Sequence, residues 1–262
     1  MTEIYQAEYF KEDPIRIAER NKLRIVILEC PYNTIQNPDT QSLLGRLYAF
    51  KIKGYQSAYK YGVLPVDTAD LISNHILLCK DTDQGPTPVM GMKYITYDKA
   101  QAHGIKFPAY NILTNNLPLH EEAISIALSK AISLNERIAY HGSYTMDPDI
   151  KTNAEIYKLA KALTTYFLIQ YYITYEIKQV IVGATLKFKI DRLMRFVGYE
   201  ILSLRNEPLP AFQCPTIFGG EVAIMHLKTL REEAYHWSLQ FNNLWYDRLV
   251  IGQHELDTKK AA

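Results

Sequence analysis

Apolar residues recur at helical spacing through 153–178, and short unbroken apolar runs stand on either side. Neither Pro nor Gly interrupts Asn153–Lys178, and Ile156, Leu159, Ala160, Leu163 and Phe167 fall on one face of a 3.6-residue period. Beyond Thr165 the run is apolar all round, which predicts a buried second half. Gln179–Ala184 has the character of a central strand, Leu186–Val197 is amphipathic, and Gly198 stands where a helix ends. With a strand from Ile138 before it and another over Tyr199–Leu204 after it, the stretch predicts a right-handed βαβ crossover, then a further helix and strand.

The rest of the chain reads in order around that centre. Residues 1–22 form a polar arm or short helix. Leu23–Leu28 is a strand, Thr40–Tyr61 a helix with Leu43, Leu44, Leu47, Phe50 and Ile52 as its apolar set, and Asn74–Lys80 a strand. The turn at 81–86 joins it to Val89–Tyr97 as a hairpin. Residues 98–117 read as a loop whose length suggests a functional excursion. Leu119–Ile132 is a helix. After Leu204 come a Pro-rich loop over Asn206–Gly220, a strand at Glu221–His226 and a helix at Lys228–Leu244, with a frayed tail over 253–262. No repeat, low-complexity tract or linker divides 1–262, so one domain is expected. Antiparallel strands followed by one parallel crossover give an α/β mixed, mostly antiparallel sheet with helices on both faces.

Composition narrows this picture. A net charge of +1 argues against a dedicated nucleic-acid binder, and no apolar run is long enough to span a bilayer. Cys30, Cys79 and Cys214 are an odd, widely spaced set without a CxxC pair, and 1–20 has no signal-peptide core, so a reduced cytoplasm is expected. His226, His236 and His254 are too scattered for a metal site, and none is expected. Twenty tyrosines are compatible with a lined groove and equally with surface composition.

At this point the chain resembles the GNAT acyltransferase superfamily over roughly residues 23–227. His75–Asp81, a turn and Pro88–Tyr94, with Val89-Met90-Gly91-Met92-Lys93, look like that fold's second and third strands. Ile138–Met146 and the helix from Asn153 look like its fourth strand and third helix, and Phe196-Val197-Gly198-Tyr199 like its turn into the sixth strand. Two places depart from the pattern. The loop that opens the long helix, 147–154, lacks the usual glycines, and Met194 stands where many members carry a tyrosine as general acid. Those departures, with the excursion after strand three, bring the layout nearest to N-acyl amino acid synthases and acyl-homoserine-lactone synthases.

The resemblance implies an N-acyltransferase that moves a medium or long acyl group from acyl-CoA, or from the phosphopantetheine of an acyl carrier protein, to a small-molecule amine. In that fold strand four splays from strand five, and Tyr144, Thr145 and Met146 would pair with the pantetheine arm as a mock strand. Lys151, Thr152 and Asn153 sit at the positive end of the long helix, where a phosphate is favoured; a capped helix with a solvated loop is the structural alternative. Glu136 and His141 are candidates for the general base, His141 alternating with Tyr140 along its strand; a structural role is the commoner one for a lone strand histidine, and Glu136 is also readable as a solvent-exposed residue at the strand's start. Tyr199 or water would protonate the departing thiol. Cys79 and Cys214 read as small buried hydrophobes, and the Tyr171–Tyr175 cluster as core packing, with the lining of an acyl tunnel as the alternative. A second reading is a GNAT-shaped module that has lost catalysis and binds a ligand or partner. An open cleft beside His141 or Glu136 favours the enzyme; a cleft plugged by 98–117 favours the module.

Overall fold

The computed structural model describes residues 9–59, 66–113, 117–214, 217 and 220–252. The elements in chain order are α1 (Pro14–Arg20), β1 (Leu23–Glu29), α2 (Pro38–Ala58), α3 (Ala69–Ile72), β2 (Asn74–Thr82), β3 (Gly85–Thr96) and α4 (Tyr97–Ala102). Then come α5 (Pro118–Ser133), β4 (Ile138–Met146), α6 (Ala154–Thr174), β5 (Gln179–Thr185) and α7 (Ile190–Val197). The remainder is β6 (Glu200–Ile201), β7 (Ser203–Leu204), β8 (Glu207–Pro208), β9 (Phe212–Cys214), β10 (Gly220–Leu227), α8 (Glu232–Ser238), α9 (Asn242–Tyr246) and β11 (Leu249–Gly252).

One sheet runs β11-β1-β2-β3-β4-β5-β10-β6, with β9 also paired to β10. Only β1–β11 and β4–β5 are parallel; the other pairs are antiparallel. The β4–α6–β5 unit therefore forms a parallel crossover inside an otherwise antiparallel sheet. Period-two alternation sorts the strand residues between two cores. Ile25, Ile27, Ile76, Leu78, Met92 and Tyr94 pack with α1, α6 and α7. Their neighbours Val26, Leu28, Leu77 and Cys79 pack with α2, and Ile95, Ile138, Tyr140 and Ile181 with α5. α6 is buried from Ala162 through Tyr171, as its all-round apolar sequence there requires, while Ile173 near its end is 41% exposed.

Several elements differ from the sequence reading. Within the excursion, Tyr97–Ala102 is helical and Pro108–Tyr110 makes a 3-10 turn. The helix read as Leu186–Val197 starts only at Ile190, because Lys189 takes a left-handed conformation (φ +55°) and breaks the turn. Gly198 ends it with φ +122°, and a Cβ there would stand 2.5 Å from the Thr229 carbonyl oxygen. The single strand expected over Tyr199–Leu204 divides: β6 joins the main sheet, while β7 pairs with β8 as a separate ribbon. The long last helix breaks into α8, a 3-10 turn and α9. β11 was not foreseen. Part of the N-terminal arm is α1; the rest of that arm up to Glu8, and the tail 253–262, lie outside the described residues.

Candidate functional site

Strand β4 is held to β5 only from Ile138↔Gln179 to His141↔Val182. Past that point β5 continues alongside β10, through Gly183↔Ile224 to Thr185↔Val222, while β4 continues alongside β3. The divergence has a local cause in β4. Three steps from Gly142 to Thr145 oppose two steps from Gly91 to Lys93, so β4 carries one extra residue, and Ser143 adopts φ +55°. Such a bulge bends a strand and sharpens its twist. It leaves the edge of β4 over 142–146 facing β5 with no strand among the described residues paired to it.

A cavity of about 860 Å³ occupies this gap. Its wall takes residues from both faces of the sheet: Lys161, Leu193 and Met194 from α6 and α7, and Tyr55, Pro108 and Ile112 from α2 and the excursion. The volume suits a substantial organic ligand. Its described lining is mostly apolar and aromatic, with Lys93, Lys151, Lys161 and Lys189 as cations and Asp67 as its one carboxylate. Among the described residues of the excursion, Pro108, Asn111 and Ile112 form part of the wall.

The residues singled out from sequence separate into three groups. His141, Tyr144, Thr145, Met146 and Lys151 line the cavity. His141 is buried, its ring stacked on Tyr94 at 4.7 Å, and neither ring nitrogen has a hydrogen-bond partner among the described residues. Burial lowers its pKa to about 3, so its imidazole is neutral at pH 7. Tyr144 Oη lies 3.2 Å from Thr164 Oγ1, which fixes the tyrosine against α6. Burial raises that tyrosine to about 12.

Thr152 and Asn153 stand beside the cavity without lining it. Asn153 Oδ1 accepts hydrogen bonds from Glu155 N–H (3.1 Å) and Ile156 N–H (3.2 Å), so it caps α6 and occupies two of its free amides. Thr152 Oγ1 donates to the Asp149 carbonyl oxygen at 2.7 Å. Lys53 Nζ bridges Asp147 (2.8 Å) and Asp149 (2.6 Å) and offsets their charge.

Glu136 and Tyr199 are not part of the cavity wall. Glu136 precedes β4, at the end of the strand away from the divergence, and accepts a hydrogen bond from Gln179 Nε2 at 2.6 Å. Gln179 Oε1 in turn lies 2.9 Å from His226 Nε2. Tyr199 is buried in the core with its hydroxyl unpartnered among the described residues, and burial drives its pKa well above the usual tyrosine value. The tyrosine expectation divides likewise: Tyr55, Tyr59, Tyr140, Tyr144 and Tyr157 line the cavity, while Tyr171 and Tyr175 stack in the core. The three cysteines are buried and form no disulfide among the described residues, with Cys214 reaching the cavity wall.

One cluster escaped the sequence reading. Asp70, fully buried, binds Lys51 Nζ at 2.6 Å and Lys93 Nζ at 3.2 Å, and its other oxygen accepts the Asp67 N–H at 2.8 Å. Lys93 also binds Asp67 Oδ1 at 2.6 Å. Burial opposes the charge on Asp70, but Lys93 and Lys51 outweigh it and hold the carboxyl down to about 2. Burial pulls Lys51 down to about 8, still protonated at neutral pH. The sequence did carry a signal. Lys93 interrupts the apolar run of β3, and Lys51 falls on the apolar face of α2 with Leu44 and Leu47. Among the described residues there is no cluster of His, Cys, Asp and Glu able to hold a metal, and no helix long and apolar enough to cross a membrane.

No family model and no curated protein matches this sequence. Solved structures match in fold. FeeM, an N-acyl amino acid synthase from uncultured soil microbes, aligns with a TM-score of 0.50 at 13% identity, over 79% of this chain and 92% of that one. BjaI, a CoA-dependent acyl-homoserine lactone synthase solved with MTA, aligns with a TM-score of 0.50 at 14% identity, over 91% of this chain and 98% of that one. At such identities the likeness is one of architecture: the chain has a GNAT-like fold.

Proposed function

We propose that this protein is an N-acyltransferase that takes a medium or long acyl group from a thioester carrier, acyl-CoA or acyl carrier protein, and delivers it to a small-molecule amine. The observation that carries the reading is the parting of β4 from β5 after His141↔Val182, with a cavity at the gap lined from both faces of the sheet. A thioester arm laid along 142–146 finds unpaired strand backbone to bond as a mock strand. Lys151, Lys161 and Lys189 line the same cavity and suit a phosphate-bearing carrier. The acyl chain finds Ile190, Leu193 and Met194 on one side and Ile112 and Val222 on the other.

Chemically, the amine nitrogen attacks the thioester carbon, and backbone N–H groups of β4 stabilise the tetrahedral oxyanion. Collapse breaks the C–S bond and releases the thiol. His141 stands at the start of the gap, where its neutral ring can hydrogen-bond a water; with its pKa lowered to about 3 it does not hold a proton at pH 7. The mechanism needs no metal. The openness of the cavity beside His141 favours this reading over a non-catalytic binding module. The test is thiol release from palmitoyl-CoA, followed with a panel of amines. Amine-dependent release with formation of the matching amide supports the proposal. Tight donor binding with no release under any amine supports the binding module instead.

A further inference from the structure

We infer that Asp67 receives the acceptor's ammonium group and takes its proton, and that Lys93 is the positioning residue that holds Asp67 in place. The inference rests on the acyltransferase reading above and deepens it by naming the acceptor site.

The cavity has one described carboxylate in its wall, Asp67, and that carboxylate is unlike the others nearby. The side chain of Asp67 is 53% exposed, whereas those of Lys93 and Asp70 are 3% and 0% exposed. The cluster is therefore rigid at its base and open at its tip. Asp70 fixes both Lys93 Nζ and the Asp67 backbone, so the Asp67 carboxylate is aimed by two independent contacts. Lys93 binds Oδ1, and Oδ2 accepts no hydrogen bond among the described residues. A half-exposed carboxylate oriented by a buried lysine at a cavity wall leaves one oxygen available for a second cation.

Position supports the role. Lys93 is the register partner of Gly142, the first residue after β4 leaves β5. The pair thus stands beside the point where a thioester carbonyl would lie. Tyr55 and Tyr140 line the same part of the wall, and both are raised by burial and further by the charge of Asp67. Aromatic rings around a carboxylate suit an ammonium ion. By contrast Glu136 is committed to Gln179 outside the cavity.

The protons balance in one turnover. The ammonium gives one proton to Asp67 as its nitrogen bonds the thioester carbon. A second goes to the departing thiolate as the C–S bond breaks, giving the thiol. The third stays on the amide. Asp67 then returns its proton to solvent. A positioned carboxylate of this kind contributes about 100-fold or more to a proton transfer.

The test compares two acceptors with palmitoyl-CoA as donor: n-butylamine, a cation at pH 7, and hydroxylamine, which is neutral there. In Asp67→Asn the ratio of butylamine to hydroxylamine acylation should fall about 100-fold at pH 7. The deficit should narrow at pH 10, where the free-amine fraction of butylamine is several hundredfold larger than at pH 7 for an alkyl ammonium of pKa ~10.4, and Asp67→Glu should restore part of the ratio. An unchanged ratio in Asp67→Asn, or a deficit that is the same at both pH values, overturns the assignment while the acyltransferase reading stands. Absence of acyl transfer from the wild-type protein to either acceptor overturns that reading and this inference with it.

Discussion

His141 and Val182 are the last residues that hold β4 to β5. One step further, Gly142 belongs only to the β3 side and Gly183 only to the β10 side. Everything proposed for the site follows from that parting, because it opens the sheet and frees a strand edge within a packed core.

Gly183 guards the gap from the β5 side. A Cβ at this position would stand 2.8 Å from Ile112 Cδ1 and 3.3 Å from Val222 Cγ1. A single methyl group needs only the end of the Ile112 side chain to move, so Gly183→Ala should keep donor binding. Gly183→Val adds two further carbons into the neck. It should weaken palmitoyl-CoA binding about tenfold or more and cost about 1–3 kcal/mol of stability. Isothermal titration and urea unfolding measure the two effects; full affinity in Gly183→Val would mean the donor does not pass the gap.

Asn153 caps α6 through two backbone amides. Asn153→Ala should therefore cost about 1 kcal/mol in urea unfolding, and Asn153→Asp should retain most of it. A phosphate held by the same amides would compete with the cap. The loss in Asn153→Ala would then shrink when the donor is present, which thermal unfolding with and without palmitoyl-CoA detects.

Three buried histidines make stability depend on pH. Burial lowers His75 to about 4, His141 to about 3 and His226 to about 4, against an ordinary 6.5. Asp70 opposes the effect at His75, while Lys228 and Lys130 add to it at His226. Each folded value lies below the unfolded one, so the unfolded chain binds protons first. Stability should fall as pH drops from about 6.5 toward 4, by about 1.4 kcal/mol per pH unit for each histidine involved. Urea midpoints at pH 7.5, 6 and 5 test this. His141→Phe keeps a ring against Tyr94 and removes two unpartnered nitrogens, so it should reduce the slope by about one proton. Midpoints that do not change with pH would contradict neutral burial of these side chains.

The crossover was legible because its signals are local. An uninterrupted apolar run from Asn153 and a short apolar strand on each side leave few alternatives. β11 was not legible: its four residues become a strand only by pairing with β1, more than two hundred positions earlier. The 3-10 break at Leu239–Phe241 and the left-handed Lys189 likewise carry no Gly or Pro to announce them. At the site, the divergence of β4 came from resemblance, since a lone Gly142 inside the strand is only a weak signal of a bulge at Ser143. The Lys51–Asp70–Lys93–Asp67 cluster was hidden for a different reason. Its members come from α2, α3, β3 and the segment before α3, and only folding brings them together. A lysine inside an apolar strand and another on an apolar helix face were the available clues.

The central claim is that the gap between β4 and β5 holds an acyl thioester. Native mass spectrometry of the purified protein with acetyl-CoA, palmitoyl-CoA and an acylated carrier protein, separately and mixed, tests it most directly. The account predicts a one-to-one complex with a long-chain donor, weakened when Gly183→Val narrows the gap. Binding of none of these donors would contradict it.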